Sequence, residues 1–415
     1  MKKKRIAVIG RGTGGALSAA FANRVFSADE VEWYFDPSIP TQAVGEGSTL
    51  QFPKEIFDSL DFSYWDLSTE LEGTLKLGLW KEGWGKEGKF FFHDFMPPFT
   101  ALHFNALKFQ DFVLKRLEGK LKIVEGNVSH EQVDADYIID CSGRPASVVG
   151  ATSHPDYNIS KYIPVNSVYV TQCWWDIPAF HYSLTIAKKH GWVFGIPLQN
   201  RCSIGYLYNN TITTLEEVKE DVQSIFEQFN LTPSDTTNSF SFNNYYRKNN
   251  FNGRITYNGN ASFFLEPIEA TSFANMLLVL DLFNSKVNGL LQDSVCNAMY
   301  HNLISEMENM IMIHYFAGSK YNTPFWTYAK DRGNECMKEA FKDEAFKRMI
   351  SYTKKVTSLN QALKFQDNMF VPYRMKLKQT PTLHYGNWWL GSYWQNLKGM
   401  GVEKEMYDML PNNVL

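Results

Sequence analysis

The chain has 415 residues, which exceeds the size at which a single core usually stops growing, so two joined lobes are expected. Its formal net charge of -3 is spread without long blocks, which excludes the concentrated basic face of a nucleic-acid-binding protein. Aromatic residues make up 15% of the chain, a high share that favours either a large aromatic core or pockets for flat ligands.

No apolar run approaches the ~18 residues that a membrane-spanning helix needs. The basic cluster at residues 2–5 leads into an apolar stretch that is too short for a signal peptide. We therefore expect a soluble, cytoplasmic protein with no membrane partner. The five cysteines are scattered and form no C-x-x-C pair, so we expect free, buried thiols and no metal site.

The first residues are typical of a nucleotide-binding βαβ unit. Arg5–Ile9 predicts a strand, residues 16–21 predict a helix after a glycine turn, and residues 31–35 predict a second strand. The turn carries the pattern G-x-G-x-x-G, in which the glycines permit a tight turn, approach of a pyrophosphate and close helix packing. An acid 21 residues later can bind a ribose hydroxyl. The residues assigned to this dinucleotide site are Gly10, Gly12, Thr13, Gly14, Gly15 and Asp36.

Several later segments also predict secondary structure. An apolar burst at Tyr137–Asp140 indicates another buried strand, and residues 162–208 alternate short aromatic and β-branched runs with turns, which favours an antiparallel sheet. Thr214 and Glu217 form a capping box before one amphipathic surface helix. From about residue 277 the pattern is mostly helical.

The glycine pattern does not distinguish an NAD-binding site from an FAD-binding site. Two segments later in the chain favour FAD. Residues 140–143 (DCSG) and 259–261 (GNA) resemble the loops with which FAD-dependent oxygenases and halogenases complete their cofactor site. Asn260 stands where such enzymes commonly have Asp, and its amide oxygen can still accept from a sugar hydroxyl. The residues assigned to FAD here are Asp140, Gly143, Gly259 and Asn260.

These patterns together predict a mixed α/β (α+β) fold. We expect a discontinuous, Rossmann-like FAD-binding domain at 1–155 and 250–330. An antiparallel-sheet substrate lobe is expected at 156–249, and a helical C-terminal part at 331–415 that completes the substrate pocket.

Four further segments form a set. They are residues 44–49 (VGEGST), 191–198 (GWVFGIPL), 265–272 (LEPIEATS) and 322–326 (NTPFW). In this order they resemble the tryptophan-halogenase-like family of flavoenzymes, over roughly residues 5–330, and are also similar to halogenases carried by marine cyanophages. The resemblance assigns flavin-side contacts to Gly45, Glu46, Gly47 and Ser48.

The second segment is similar to the family's G-W-x-W-x-I-P-L signature, and this resemblance implies a wall that keeps the organic substrate away from the flavin. Here Phe194 replaces the second Trp, which keeps an apolar wall and removes an indole N–H donor. The residues assigned to this wall are Trp192, Phe194, Ile196 and Pro197.

The resemblance also implies catalytic residues. Lys76 occupies the position of the family's catalytic lysine, and Glu269 that of its glutamate. Burial of Lys76 would favour its neutral, nucleophilic form. Glu269 would take the ring proton or orient the halogenating species. Backbone N–H groups of Thr271 and Ser272 would hold halide, although Ala270 and Ser272 depart from the family's E-P-L-E-S-T-G block.

The segment His93-Asp94-Phe95 is similar to the family's H-P-F segment, so His93 and Phe95 are assigned to the substrate pocket. The chain after Trp326 is shorter than in tryptophan-specific members, which implies a more open pocket and a substrate other than free tryptophan.

The implied activity is a FADH2-dependent halogenase that oxidises chloride, bromide or iodide with O2 to hypohalous acid. Lys76 would pass the halogen to a small, electron-rich aromatic or heteroaromatic substrate. A separate flavin reductase would supply FADH2 transiently. Two alternatives stay open: a flavin-dependent monooxygenase that hydroxylates, and a non-catalytic FAD-binding protein. The oligomeric state stays open.

Overall fold

The amino-terminal residues form the predicted strand, helix and strand in the computed structural model, which describes residues 3–41, 46–363 and 384–411. Strands β1 (Arg5–Ile9) and β2 (Glu30–Phe35) pair in parallel, and helix α1 (Thr13–Val25) connects them. Residues 14–22 of α1 are all buried, and glycine and alanine are frequent among them. These small side chains let the helix lie close against the sheet and its neighbouring helices.

Strands β7 (Lys122–Glu125), β8 (Tyr137–Asp140) and β17 (Ile255–Tyr257) join β1 and β2 by parallel pairing, and β16 (Phe251–Asn252) pairs antiparallel at the edge. The resulting six-stranded sheet has the order β16-β17-β8-β1-β2-β7. Parallel strands end at the same edge, so the loops after β1, β8 and β17 meet there, where open α/β sheets bind ligands.

A second large sheet has seven strands: β4 (Gly78–Glu82), β5 (Phe91–Asp94), β10 (Ser167–Trp174), β11 (Ser183–Lys188), β12 (Gly191–Pro197), β13 (Arg201–Tyr208) and β14 (Thr232–Ser241). Their order is β14-β10-β13-β12-β11-β4-β5. All pairings in this sheet are antiparallel except that of β4 with β11. Since β4 and β5 come from within 1–155, that segment contributes to both large sheets. The division into domains stays a prediction.

Short strands and helices complete the described fold. The short strands are β3 (Thr74–Lys76), β6 (Ala101–His103), β9 (Tyr157–Ile159), β15 (Tyr245–Arg247), β18 (Phe263–Phe264), β19 (His384–Tyr385) and β20 (Trp388–Trp389). The helices after α1 are α2 (Phe52–Leu60), α3 (Tyr64–Thr69), α4 (Ala106–Leu117), α5 (Leu215–Asp221), α6 (Gln223–Gln228), α7 (Thr271–Val287), α8 (Asp293–Ala317), α9 (Pro324–Ala340), α10 (Glu344–Thr353), α11 (Leu359–Leu363), α12 (Leu390–Met400) and α13 (Glu403–Asp408).

The mixed α/β fold is confirmed, and so are the antiparallel strands over residues 162–208 and the helical pattern after residue 277. One prediction was wrong: the single amphipathic helix after Thr214 is divided into α5 and α6 at Val222. Its predicted apolar face is nonetheless buried, at Val218, Val222 and Ile225. All five cysteines are free and buried. None of the helices in the described part of the chain is long and apolar enough to span a bilayer.

Candidate active site

A cavity of about 480 Å³ joins the loops at the carboxyl edge of the six-stranded sheet to the end of β3. It brings together most of the residues that the sequence assigned to a site. Those that line it are Gly10, Gly12, Thr13, Gly14, Asp36, Gly47, Lys76, Gly143, Trp192, Phe194, Ile196, Gly259, Asn260, Glu269 and Ser272. Those that lie outside its lining are Gly15, Glu46, Ser48, His93, Phe95, Asp140, Pro197 and Thr271. Gly45 lies outside the described residues.

The glycine turn after β1 has the shape that a dinucleotide needs. Gly10 has a φ of +103°, and a Cβ there would lie 2.3 Å from the carbonyl oxygen of Cys141. A Cβ at Gly15 would lie 2.0 Å from Gly10 O, so this glycine closes the helix onto the strand. Gly12 faces open space, and no side chain caps α1. The first N–H groups of the helix can therefore point at an anion.

The two distal loops lie beside this turn. A Cβ at Gly14 would lie 2.9 Å from Gly259 Cα, so the backbones of the first and last loops touch. Gly143 and Asn260 line the same cavity. Asp36 also lines it, and its carboxylate accepts hydrogen bonds from Ser38, which lowers the pKa of that acid. These residues fit FAD: the turn offers N–H groups to a pyrophosphate, and Asp36 offers a carboxylate to a ribose.

Two of the acids assigned to the cofactor have partners within the protein. Glu46 is buried and forms an ion pair with Arg201, 2.6 Å between Oε1 and Nη2, and it also accepts from Ser203 Oγ. Asp140 accepts from Ser142 N at 2.9 Å and lies 3.0 Å from His130 Nδ1. Both acids therefore shape the loops that line the cavity.

Lys76 lies at the end of β3 and is 3% exposed. Its ammonium group donates to Ser48 O at 3.0 Å, and Nζ lies 5.7 Å from the ring centre of Phe95. A Cβ at Gly47 would lie 3.8 Å from both Lys76 Nζ and Ile196 Cδ1, so the amine lies near the aromatic wall. Burial lowers the pKa of Lys76 to about 8 although the negative charge of Glu269 opposes this shift, and nearby Lys81 adds a smaller lowering effect.

Glu269 lies in a left-handed turn just before α7. Its φ is 64° and that of Ala270 is 56°, so two successive non-glycine residues adopt a conformation that costs energy. This turn directs the carboxylate toward Lys81, whose ammonium group donates to Glu269 Oε1. Burial alone would raise the pKa of Glu269, but Lys81 and His93 outweigh it and hold that pKa well below 4.5.

The aromatic wall has polar support behind it. Trp192 Nε1 donates to the hydroxyl of Tyr315 at 3.0 Å and approaches Glu266 Oε2 at 3.3 Å. The Tyr315 hydroxyl donates to the same carboxyl oxygen at 2.6 Å. Glu266 is fully buried, and burial raises its pKa to about 8. Phe194 fills space that Gly205 leaves open, since a Cβ at Gly205 would lie 2.1 Å from its ring.

The residues assigned to the substrate pocket, His93 and Phe95, are both buried, and His93 lies beside Glu269. His93 Nε2 lies 3.0 Å from Ser392 Oγ, and its Nδ1 lies 3.6 Å from Glu269 Oε1. Burial lowers the pKa of His93. Phe95 makes an edge contact with the imidazole of His93. These two side chains therefore connect Lys76 and Glu269 to the carboxyl-terminal helix α12.

Sequence reasoning assigned no role to Lys81, His314, Trp388 or Asn396, which all surround Glu269. Their side-chain atoms lie within 3.7 Å of its carboxylate. One local signal was available: residues 79 and 81 are both buried on β4, so a lysine occupies an inward-facing strand position. The others come from distant segments, and only the fold brings them together. In the described ranges, no group of three or more His, Cys, Asp or Glu side chains is placed to hold a metal ion.

A dinucleotide cavity that continues to a buried amine and a buried carboxylate defines a cofactor-dependent enzyme. Comparison with known proteins identifies the kind of enzyme. The sequence profile described as Tryptophan halogenase matches residues 5–122 and 108–374. The chain belongs to this family, and the protein is a flavin-dependent halogenase.

Relatives agree with this assignment over most of the chain. The chain is 22% identical over 423 residues to Tryptophan 7-halogenase RebH of Lentzea aerocolonigenes. This alignment covers 80% of this chain and 79% of the relative. The fold is shared with Tryptophan 6-halogenase SttH of Streptomyces toxytricini, with a TM-score of 0.75 at 17% identity over 98% of this chain and 96% of the other. It is also shared with a tryptophan halogenase of Shewanella frigidimarina, with a TM-score of 0.76 at 15% identity over 100% and 91% of the two chains.

Proposed function

We propose that this protein uses FADH2, oxygen and a halide to halogenate an electron-rich aromatic or heteroaromatic compound, and that Lys76 carries the halogen. The observation that supports this most is that Lys76, Glu269 and the glycine turn line one cavity, with Trp192 and Phe194 in its wall. Reduced FAD from a separate reductase would, with oxygen and a proton, convert halide to hypohalous acid and water.

The glycine turn, Asp36, Gly143 and Asn260 would hold the dinucleotide. Ser272 lines the cavity at the start of α7, where no side chain caps the helix. Its backbone N–H suits a monatomic anion. Since the Thr271 hydroxyl donates to Glu266 O and Thr271 lies outside the lining, its part in halide binding rests on its backbone alone.

Lys76 supports halogen transfer because its amine is reactive near neutral pH. With a pKa of about 8, about one amine in ten is neutral at pH 7, against roughly one in a few thousand for an ordinary lysine. The neutral nitrogen attacks the halogen of hypohalous acid, the oxygen–halogen bond breaks, and the hydroxide leaves as water with an amine proton. The substrate carbon then takes the halogen, and the nitrogen–halogen bond breaks.

The test is turnover of a panel of indoles, phenols and pyrroles with FAD, a reductase, oxygen and each halide, with products identified by mass. Lys76→Met should lose at least 100-fold in halogenated product while it binds FAD with unchanged affinity. Lys54→Met, at an exposed lysine that pairs with Asp58, is the matched control and should behave as wild type. Hydroxylated product without halogen would favour a monooxygenase, and no product on any substrate would favour an FAD-binding protein without turnover.

A further inference from the structure

The two buried lysines of the site differ in how many acceptors they meet. Among the described residues, the Lys76 ammonium meets one hydrogen-bond acceptor, Ser48 O. Lys81 is completely buried and donates to three: Glu269 Oε1, His314 Nε2 at 2.7 Å and Asn396 Oδ1 at 2.7 Å. An ammonium group has three protons, so every proton of Lys81 has a partner. Lys76 keeps protons free to face the cavity.

The surrounding groups define the charges. His314 Nδ1 lies 3.0 Å from Met310 O, which places its proton on that nitrogen and leaves Nε2 as an acceptor for Lys81. Burial, followed by Lys81, lowers the pKa of His314 to about 3, so the imidazole is neutral. Burial lowers the pKa of Lys81 as well, but Glu269 opposes that shift. The geometry is that of an ammonium paired with a carboxylate.

The carboxylate of Glu269 is held from several elements. Oε2 accepts from Trp388 Nε1 at 3.1 Å on β20, and Oε1 lies 3.4 Å from Asn396 Nδ2 on α12. The titratable and charged groups that influence it are Lys76 on β3, Lys81 on β4, His93 on β5, His314 on α8 and Tyr393 on α12. Donors therefore approach both oxygen atoms.

We propose that Lys81 is a positioning residue that fixes Glu269 as a permanent anion beside Lys76, so that Glu269 acts through its charge and takes no proton during the reaction. The proposal rests on the proposed function for the reaction that the anion assists. When the ring carbon attacks the halogen, positive charge develops on the substrate and a fixed carboxylate stabilises it. A carboxylate that already accepts from Lys81 and Trp388 is a weak base.

Every proton of the halogen-transfer step is accounted for without a proton transfer to Glu269. Halogen transfer breaks the nitrogen–halogen bond with its electron pair on Lys76 Nζ, which is then one proton short. The substrate ring loses one proton when it recovers its aromaticity. Return of that proton to Nζ restores the amine, so the net change is exchange of a ring hydrogen for the halogen.

The first test needs no turnover. Thermal unfolding of the FAD-bound protein is followed between about pH 4 and 8 for wild type, Lys81→Met, Glu269→Gln and the double variant, with Lys54→Met as the surface control. Lys81→Met alone keeps a buried carboxylate without a cation, so the folded pKa of Glu269 should rise above its ordinary value. The Tm of Lys81→Met should fall further below the Tm of the double variant as the pH rises from about 4 to 8. A double variant with no advantage over Lys81→Met at any pH would overturn the proposal.

The second test uses halogenation. Lys81→Met should lower kcat at least 10-fold with unchanged FAD affinity. Because Lys81 acts through Glu269, the double variant should retain the kcat of Glu269→Gln within about twofold. If the fold-losses in kcat of the two single variants multiply in the double variant, Lys81 acts independently of Glu269, and the proposal is overturned. If wild type halogenates nothing, the proposed function fails, whereas the unfolding comparison still decides the charge of Glu269.

Discussion

Two buried carboxyl groups lie three residues apart in the segment before α7, and their surroundings make one neutral and the other negatively charged. Glu266 meets neutral donors, the hydroxyl of Tyr315 and the indole of Trp192, and its pKa rises to about 8. Glu269 meets the Lys81 ammonium, and its pKa falls well below the usual range. Burial acts to raise the pKa of both carboxyl groups, so the partner of each group, and not its burial, decides its charge.

The comparison separates two functions of one segment. In the Glu266 cluster, a neutral acid and the Tyr315 hydroxyl hold the indole of Trp192. In the Glu269 cluster, a carboxylate that lines the same cavity as Lys76 pairs with the Lys81 ammonium. A left-handed turn at Glu269 and Ala270 points the two side chains into different surroundings.

The largest expected effect comes from Glu269→Gln. This change leaves the Lys81 ammonium buried without its anion and should destabilise the protein by about 3–5 kcal/mol at pH 7. Urea unfolding of the FAD-bound protein measures it. Asp58→Asn, at the exposed Lys54 pair, is the control and should cost under about 1 kcal/mol. Equal costs at the two sites would remove the distinction between the two acids.

Glu266→Gln should act in the opposite direction and depend on pH. The folded pKa of Glu266 is raised to about 8, so the folded state keeps a proton that the unfolded state loses above about pH 4.5. Wild-type stability contributed by this group is therefore full below pH 4.5 and declines as pH rises toward 8. The variant lacks this decline, so it should gain on wild type by up to about 1.4 kcal/mol per pH unit in that window. Parallel stability curves for the two proteins would mean that Glu266 is ionised.

Glu266→Leu should be worse than Glu266→Gln because the Tyr315 hydroxyl loses its acceptor. A buried donor without a partner costs about 1–3 kcal/mol. The triple variant Glu266→Leu, Tyr315→Phe and Trp192→Phe removes the acceptor together with both donors and should recover most of that loss in the same unfolding assay. Failure to recover would place the cost in packing instead of hydrogen bonding.

The smallest effect should be Trp192→Phe, which removes the indole N–H and keeps an aromatic ring in the wall. Tyr315 still donates to Glu266, so the stability loss should be about 1 kcal/mol. The ring is expected to sit less firmly, and hydrogen peroxide released per halogenated product should rise. An unchanged ratio would show that the wall does not depend on its polar support.

The candidate site was predictable where a local pattern carries its own chemistry. Gly10 and Gly15 cannot carry a Cβ against their neighbours, so the glycine turn is readable from sequence. The alternation over residues 162–208 likewise predicts the antiparallel strands because one face of a strand repeats every second residue. Lys76 and Glu269 were assigned through resemblance, since a lone lysine or glutamate in a sequence carries no such pattern.

The features that could not be predicted depend on contacts between residues that lie far apart in the sequence. The break between α5 and α6 and the use of Glu46 by Arg201 are set by contacts that no local pattern encodes. The sequence by itself determined the dinucleotide turn, the strand and helix patterns and the class of enzyme. Only the tertiary structure decided which carboxylate is charged, because Lys81, His314 and Asn396 reach Glu269 from three separate elements, and electrostatic energy depends on distance in space.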